Sequence, residues 1–145
     1  MAIRDGRIAS IAKELPASGV DRVIDARGMA LIPGAIDIHS HSDEAMFVSP
    51  ALESAVHQGV TTVVCGNCGG ASAPVVGLAA SELDRDLKRY GLERAWTSFG
   101  EYASAVERNG ASINVCSFVG HGTLRMCVMG AEAREAKAGE LAAMK

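Results

Sequence analysis

Three stretches rich in apolar and β-branched residues, 35–39, 60–65 and 113–119, are separated by segments with helical signals, and this alternation constrains the chain more than any other feature. Buried strands alternating with amphipathic helices imply parallel strands joined by right-handed crossovers, in an open sheet or in a (β/α)₈ barrel. Three such strands alone would leave two unpaired edges and an apolar face open to water. A full barrel takes about 250 residues, so a chain of 145 is expected to be an incomplete portion with its C-terminal remainder missing.

Local signals fill in this outline. Residues 2–15 place Ile3, Ile8 and Ile11 around Asp5-Gly6, a dipeptide suited to a two-residue hairpin turn. A second β signal spans 22–32, before Pro33-Gly34 breaks it. Ser49 is expected to cap a helix that starts at Pro50, carries Leu52, Ala55 and Val56 on one face and ends at Gly59. Residues 81–90 carry Leu83 and Leu87 on one face of a short charged helix, or of a long excursion containing one. Ser98-Phe99-Gly100-Glu101 has the form of a capping box, followed by an apolar face of Phe99, Tyr102, Ala103 and Val106 up to Asn109-Gly110. Residues 131–144 are rich in strong helix formers.

Charge excludes some functions. A net charge of −3, with both signs mixed along the chain, offers no basic stripe for phosphates, so nucleic acid is not an expected partner. No apolar run approaches the ~18 residues of a membrane span, and the first residues lack a signal-peptide pattern. The expected location is the cytoplasm, with no membrane partner. Cys65, Cys68, Cys116 and Cys127 are then expected to stay reduced, free to pack or to bind metal.

His39 and His41 are two residues apart, which on a strand puts both imidazoles on one side and on a helix turns them well apart. At a strand end they form either a metal pincer or two solvated histidines, and the pair alone does not decide between these. Cys65 and Cys68 make a Cys-x-x-Cys, which also admits a structural-zinc or redox reading. A zinc ribbon needs a second close pair, whereas ten residues separate Cys116 from Cys127. A thioredoxin-like pair should open a helix, not close a strand.

The run Pro33-Gly34-Ala35-Ile36-Asp37-Ile38-His39-Ser40-His41 resembles the signature of the amidohydrolase superfamily at the end of its first barrel strand. Gly59-Val60-Thr61-Thr62-Val63-Val64-Cys65-Gly66-Asn67-Cys68-Gly69 resembles the second barrel strand of the N-acyl-D-amino-acid deacylase family within it. Trp96-Thr97-Ser98-Phe99-Gly100-Glu101-Tyr102, Asn114-Val115, Val119-Gly120-His121-Gly122-Thr123-Leu124-Arg125 and Val128-Met129-Gly130 are similar to the same family, in the same order.

The resemblance implies an α/β chain: about the first three β/α units of a TIM-type (β/α)₈ barrel over residues 33–145, preceded over residues 1–32 by part of a small β-sandwich. It implies that His39, His41 and Cys68 are metal ligands, with one or two zinc ions as cofactor. Cys68 would stand where many relatives use a carboxylated lysine, and a thiolate is a soft, negatively charged donor suited to zinc. The 27 residues from His41 to Cys68 are about one strand-helix-strand repeat, which brings both to the same barrel face. Asp43 and His121 are candidates for an outer shell around the metal or for the substrate side, with a solvated loop acid and a structural histidine as their plain alternatives.

The implied activity is metal-dependent hydrolysis of the amide bond of N-acyl-D-amino acids, small-molecule substrates yielding a D-amino acid and a carboxylate. The family's general base and its remaining metal ligands come from later strands, so no catalytic base is identifiable in this portion. The 145 residues alone are expected to be inactive. A dihydroorotase- or hydantoinase-like enzyme shares the histidine pair, but Gly66-Asn67-Cys68-Gly69 argues against it. The remaining alternative is a non-catalytic truncated remnant that is stable only with a partner.

Overall fold

The computed structural model describes residues 1–145, which divide into two compact units, Met1–Pro33 and Gly34–Lys145. In the first unit, β1 (Ala2–Arg4) pairs antiparallel with β2 (Arg7–Ser10). Asp5 and Gly6 both take left-handed backbone angles, φ 51° and 69°, as a primed hairpin turn requires. The expected strand over 22–32 does not form. Backbone N–H and C=O groups need partners, and the only two strands of this unit already pair with each other. Val23, Ile24, Leu31 and Ile32 instead lie exposed along an irregular path with a turn at Ala26–Met29.

The second unit is built on a parallel sheet in the order β3 (Ala35–Asp37), β4 (Val60–Cys65), β5 (Asn114–Ser117). Thr62 pairs with Ile36 on one side and with Asn114 on the other, so β4 is central. Its β-branched run suits that place. Along it Val63 and Cys65, two apart and thus on one face, are fully buried in a core with Met46, Leu87, Trp96 and Tyr102.

Six helices follow the strands: α1 (Ala45–Val48), α2 (Glu53–Val56), α3 (Gly77–Lys88), α4 (Phe99–Asn109), α5 (His121–Met129) and α6 (Ala138–Ala143). No helix is long and apolar enough to cross a membrane. Five of them depart from expectation. Ser49 is the C-cap of α1, its N–H bonded to Ala45 O, rather than an N-cap, and α2 is a single turn opened by Leu52 in the left-handed region. Pro50 explains the break: its carbonyl accepts the Ser112 N–H at 3.0 Å, which ties this stretch to the approach of β5 instead of to a helix. Helix α3 starts four residues earlier than expected. The helix over 131–144 is confined to α6, and α5 was not anticipated at all.

Helix α4 follows its sequence signal. Ser98 Oγ accepts the Glu101 N–H at 3.3 Å, and Glu101 Oε2 accepts the N–H groups of Ser98 and Thr97 at 2.9 and 2.8 Å, which holds the Glu101 carboxyl below its usual range. Ser98→Ala is expected to lower stability by about 1 kcal/mol, read as a shift in the urea midpoint. An unchanged midpoint would mean that Glu101 alone secures the helix start. The helix matters to the rest of the molecule because Tyr102 Oη donates to Asp43 O at 3.0 Å and Asn109 Nδ2 donates to Met46 O at 2.7 Å. These bonds fix the segment that leaves His41.

Candidate metal centre

Parallel strands project their C-terminal ends to one edge of the sheet, so the turns leaving β3 and β4 meet there. His39 and His41 come from the first turn and Cys68 from the second. Their donor atoms all lie within 4.8 Å of one another. His39 Nε2 is 3.2 Å from Cys68 Sγ, and the two imidazole rings stand edge to face with centroids 5.4 Å apart. All three side chains are exposed at this edge.

The donor set fits a zinc-like ion. Zinc binds imidazole nitrogen at about 2.0 Å and thiolate at about 2.3 Å, so a nitrogen and a sulfur sharing one tetrahedral ion are roughly 3.5 Å apart. The His39–Cys68 separation is of that size. The chain's other Cys-x-x-Cys member is placed differently: Cys65 is fully buried in the core, and burial, followed by the charge of Asp43, pushes its thiol up to about 12. It stays protonated at neutral pH and stands outside the cluster.

The two turns are laced together by polar contacts. Asp43, only 5% exposed, accepts the Gly66 N–H through Oδ1 at 3.1 Å. Burial raises its carboxyl above the usual range, against the pull of backbone hydrogen bonds and of nearby His41. Asp43 is therefore not a solvated loop acid; it braces the turn that carries Cys68. Next to it Glu44, whose carboxyl is also raised by burial, accepts a 2.5 Å hydrogen bond from Ser72 Oγ, and Ser72 O accepts the Trp96 Nε1–H at 2.8 Å.

Asn67, to which the sequence analysis gives no role of its own, donates through Nδ2 to Val64 O at 2.7 Å and to Ser40 O at 3.3 Å. Its place between Gly66 and Cys68 was the available signal, since Asn side chains commonly bond backbone at tight turns. Cys68 itself sits at φ 54°, a region few residues other than glycine adopt.

His121 opens α5 and is exposed, outside the three-residue cluster. Its helix start is nonetheless docked beside Cys68: Thr123 N–H donates to Gly69 O at 3.0 Å, and Thr123 Oγ1 both accepts the Ala71 N–H and donates to Ala71 O. His57 lies on the surface, with Nδ1 on Glu53 O.

The chain matches no protein-family model. It is 40% identical over its whole length to an N-acyl-D-aspartate deacylase of Alcaligenes xylosoxydans xylosoxydans, of which it spans 29%. It is 37% identical over its whole length to a D-aminoacylase of the same organism, of which it spans 30%. Among solved structures, 77% of the chain superposes on 23% of an N-acyl-D-glutamate deacylase from Bordetella bronchiseptica complexed with zinc and a phosphonate inhibitor, at TM-score 0.63 and 34% identity. A D-aminoacylase with a binuclear metal centre superposes to the same extent, at TM-score 0.64 and 35% identity. These relatives and solved structures are N-acyl-D-amino-acid deacylases and D-aminoacylases of the amidohydrolase superfamily, and the chain matches the N-terminal part of them.

Proposed function

We propose that the protein containing this chain hydrolyses the amide bond of N-acyl-D-amino acids, and that His39, His41 and Cys68 hold a divalent metal ion, zinc being the best match. The observation that carries this reading is the convergence of two imidazoles and one thiol at the edge formed by the ends of β3 and β4. The named activities of the relatives support the substrate class. In this reading the sheet β3-β4-β5 is the first part of a (β/α)₈ barrel, with its domain over residues 33–145. Residues 1–32, with the hairpin β1-β2, contribute to a small β-sandwich.

An ion held by the three residues would polarise an amide carbonyl and acidify water, the two difficulties of amide hydrolysis. The chain's own residues do the positioning. Asp43 and Asn67 hold the two ligand-bearing turns against each other, and α4 holds Asp43. No general base is assigned among residues 1–145, and Asp43 is an unsuitable one because its carboxylate is turned into the fold onto Gly66. His121 is assigned to the surroundings of the site and not to the ligand set.

The test is hydrolysis by protein expressed from the full reading frame that contains this chain. N-acetyl derivatives of D-Asp, D-Glu and D-Leu are compared with their L-enantiomers, before and after chelation and zinc readdition. Turnover confined to D-substrates, lost on chelation and restored by zinc, is expected. Equal turnover of L-substrates, or activity indifferent to chelation, would sink the proposal.

A further inference from the structure

We propose that Asn67 is a positioning residue that sets the spacing of the metal-binding triad by clamping the peptide between the two histidines. The inference rests on the metal reading above and adds to it a residue that touches neither metal nor substrate. Ser40, the residue between His39 and His41, is held to the end of β4 through both of its backbone polar groups. Its N–H donates to Val64 O at 2.9 Å, and its C=O accepts from Asn67 Nδ2 at 3.3 Å. The second Asn67 Nδ2 proton goes to the same Val64 carbonyl, at 2.7 Å.

One side-chain amide therefore ties three points together: the midpoint of the histidine pair, the last turn of the central strand and, through its own backbone, the adjacent Cys68. Both protons of the amide are used, so a side chain without a donor cannot replace it. Ser40 is 7% exposed, which leaves its carbonyl without ready access to water if Asn67 is removed.

The backbone of Cys68 makes this clamp necessary. Its φ of 54° is strained for a residue with a side chain and persists only when surrounding contacts over-determine it. The Asn67 carbonyl accepts the Gly70 N–H at 3.0 Å, closing the turn on its other side, so Asn67 is anchored before and after the strained residue. Without the side-chain bonds the Ser40 carbonyl loses its tie to the cysteine turn, and the backbone link between the two turns is left to the Ser40 N–H on Val64 O and the Asp43 carboxylate on the Gly66 N–H. The donor atoms then lose their fixed separation.

The experiment is cobalt(II) loading of protein made from the full reading frame, comparing wild type with Asn67→Ala, the isosteric Asn67→Asp and Cys68→Ala. It reads both the affinity for Co²⁺ and the thiolate-to-cobalt charge-transfer band. Loss of an outer partner of a metal ligand typically costs about 10- to 100-fold in metal affinity, and that loss is expected for both Asn67 variants, together with a weakened charge-transfer band. Asn67→Asp keeps the shape and removes the donor, so it decides the matter if Asn67→Ala does not fold. A purely structural role would lower the melting temperature while leaving the affinity and the band of the folded protein unchanged, and that result overturns the inference. If wild type and Cys68→Ala alike show no thiolate band, the metal reading fails and takes this role with it. A wild-type band retained at full strength in both Asn67 variants removes the role of Asn67 alone.

Discussion

Replacing Cys68 with alanine is expected to strip the protein of most of its metal, while the same change at Cys65 leaves the metal in place. The two cysteines stand three positions apart in one motif, so the contrast isolates position from composition. Cys68 Sγ lies at the exposed edge, 3.2 Å from His39 Nε2 and within 4.8 Å of His41. Cys65 Sγ lies fully buried in the core and outside the donor cluster, and burial pushes its thiol up to about 12.

If the proposed triad holds the metal, removing Cys68 should weaken binding by more than about 100-fold, the upper end of what an outer-shell partner costs. Elemental analysis of protein purified under identical conditions reads the difference. Cys65→Ala opens a small cavity beside Val63 and Tyr102 and costs stability instead, a loss visible in denaturation and absent from the metal content. Equal metal loss in both variants would favour the structural Cys-x-x-Cys reading and remove the triad.

What the sequence displayed openly was whatever is encoded over a few neighbouring residues. His-x-His at a strand end, a cysteine between turn glycines, the β-branched run 60–65 and the capping box at Ser98 are local patterns, and each stands in the structure at the expected residues. What stayed hidden depends on partners distant in sequence. Helix α5 carries Gly122, Thr123 and Val128, poor helix formers. It is held by docking, with Thr123 on Gly69 and Ala71 and Cys127 Sγ on the Val76 N–H and Pro74 carbonyl.

The stretch 22–32 errs in the opposite sense: its side chains suit a strand, but no neighbour within its unit completes the hydrogen bonds. Pro50 is similar, since its carbonyl is claimed by Ser112, more than sixty residues away in sequence, and not by a helix. The brace of Asp43 on Gly66 and the clamp of Asn67 on Ser40 belong to this class as well. Both join turns that sequence alone cannot bring together.

Gly66→Ala is expected to destabilise the fold by about 2–4 kcal/mol, although it adds only one methyl group. The Gly66 backbone has φ 74°, and a Cβ placed on it would lie 2.1 Å from Phe118 O and 2.8 Å from Phe118 C. Those atoms are backbone and cannot rotate aside as a side chain would. They are also fixed from the other direction, because the Phe118 N–H donates to Cys65 O at 3.0 Å as β5 continues past its last paired residue. Relief therefore requires the ends of β4 and β5 to separate, which breaks that bond and loosens the Gly66 N–H from Asp43.

Left-handed strain at a non-glycine residue contributes about 1 kcal/mol, and forcing extra volume into a packed site adds roughly 1–3 kcal/mol. The matching control is Gly100→Ala in the first turn of α4, where an added Cβ meets nothing within 4 Å and alanine is the better helix former. That change should be neutral or stabilising by up to about 1 kcal/mol. Urea denaturation of the two variants beside wild type reads the opposite signs directly. A Gly66→Ala protein as stable as Gly100→Ala would mean that the β4 and β5 ends are not in close contact, and the packing that presents Cys68 to the histidines would have to be redrawn.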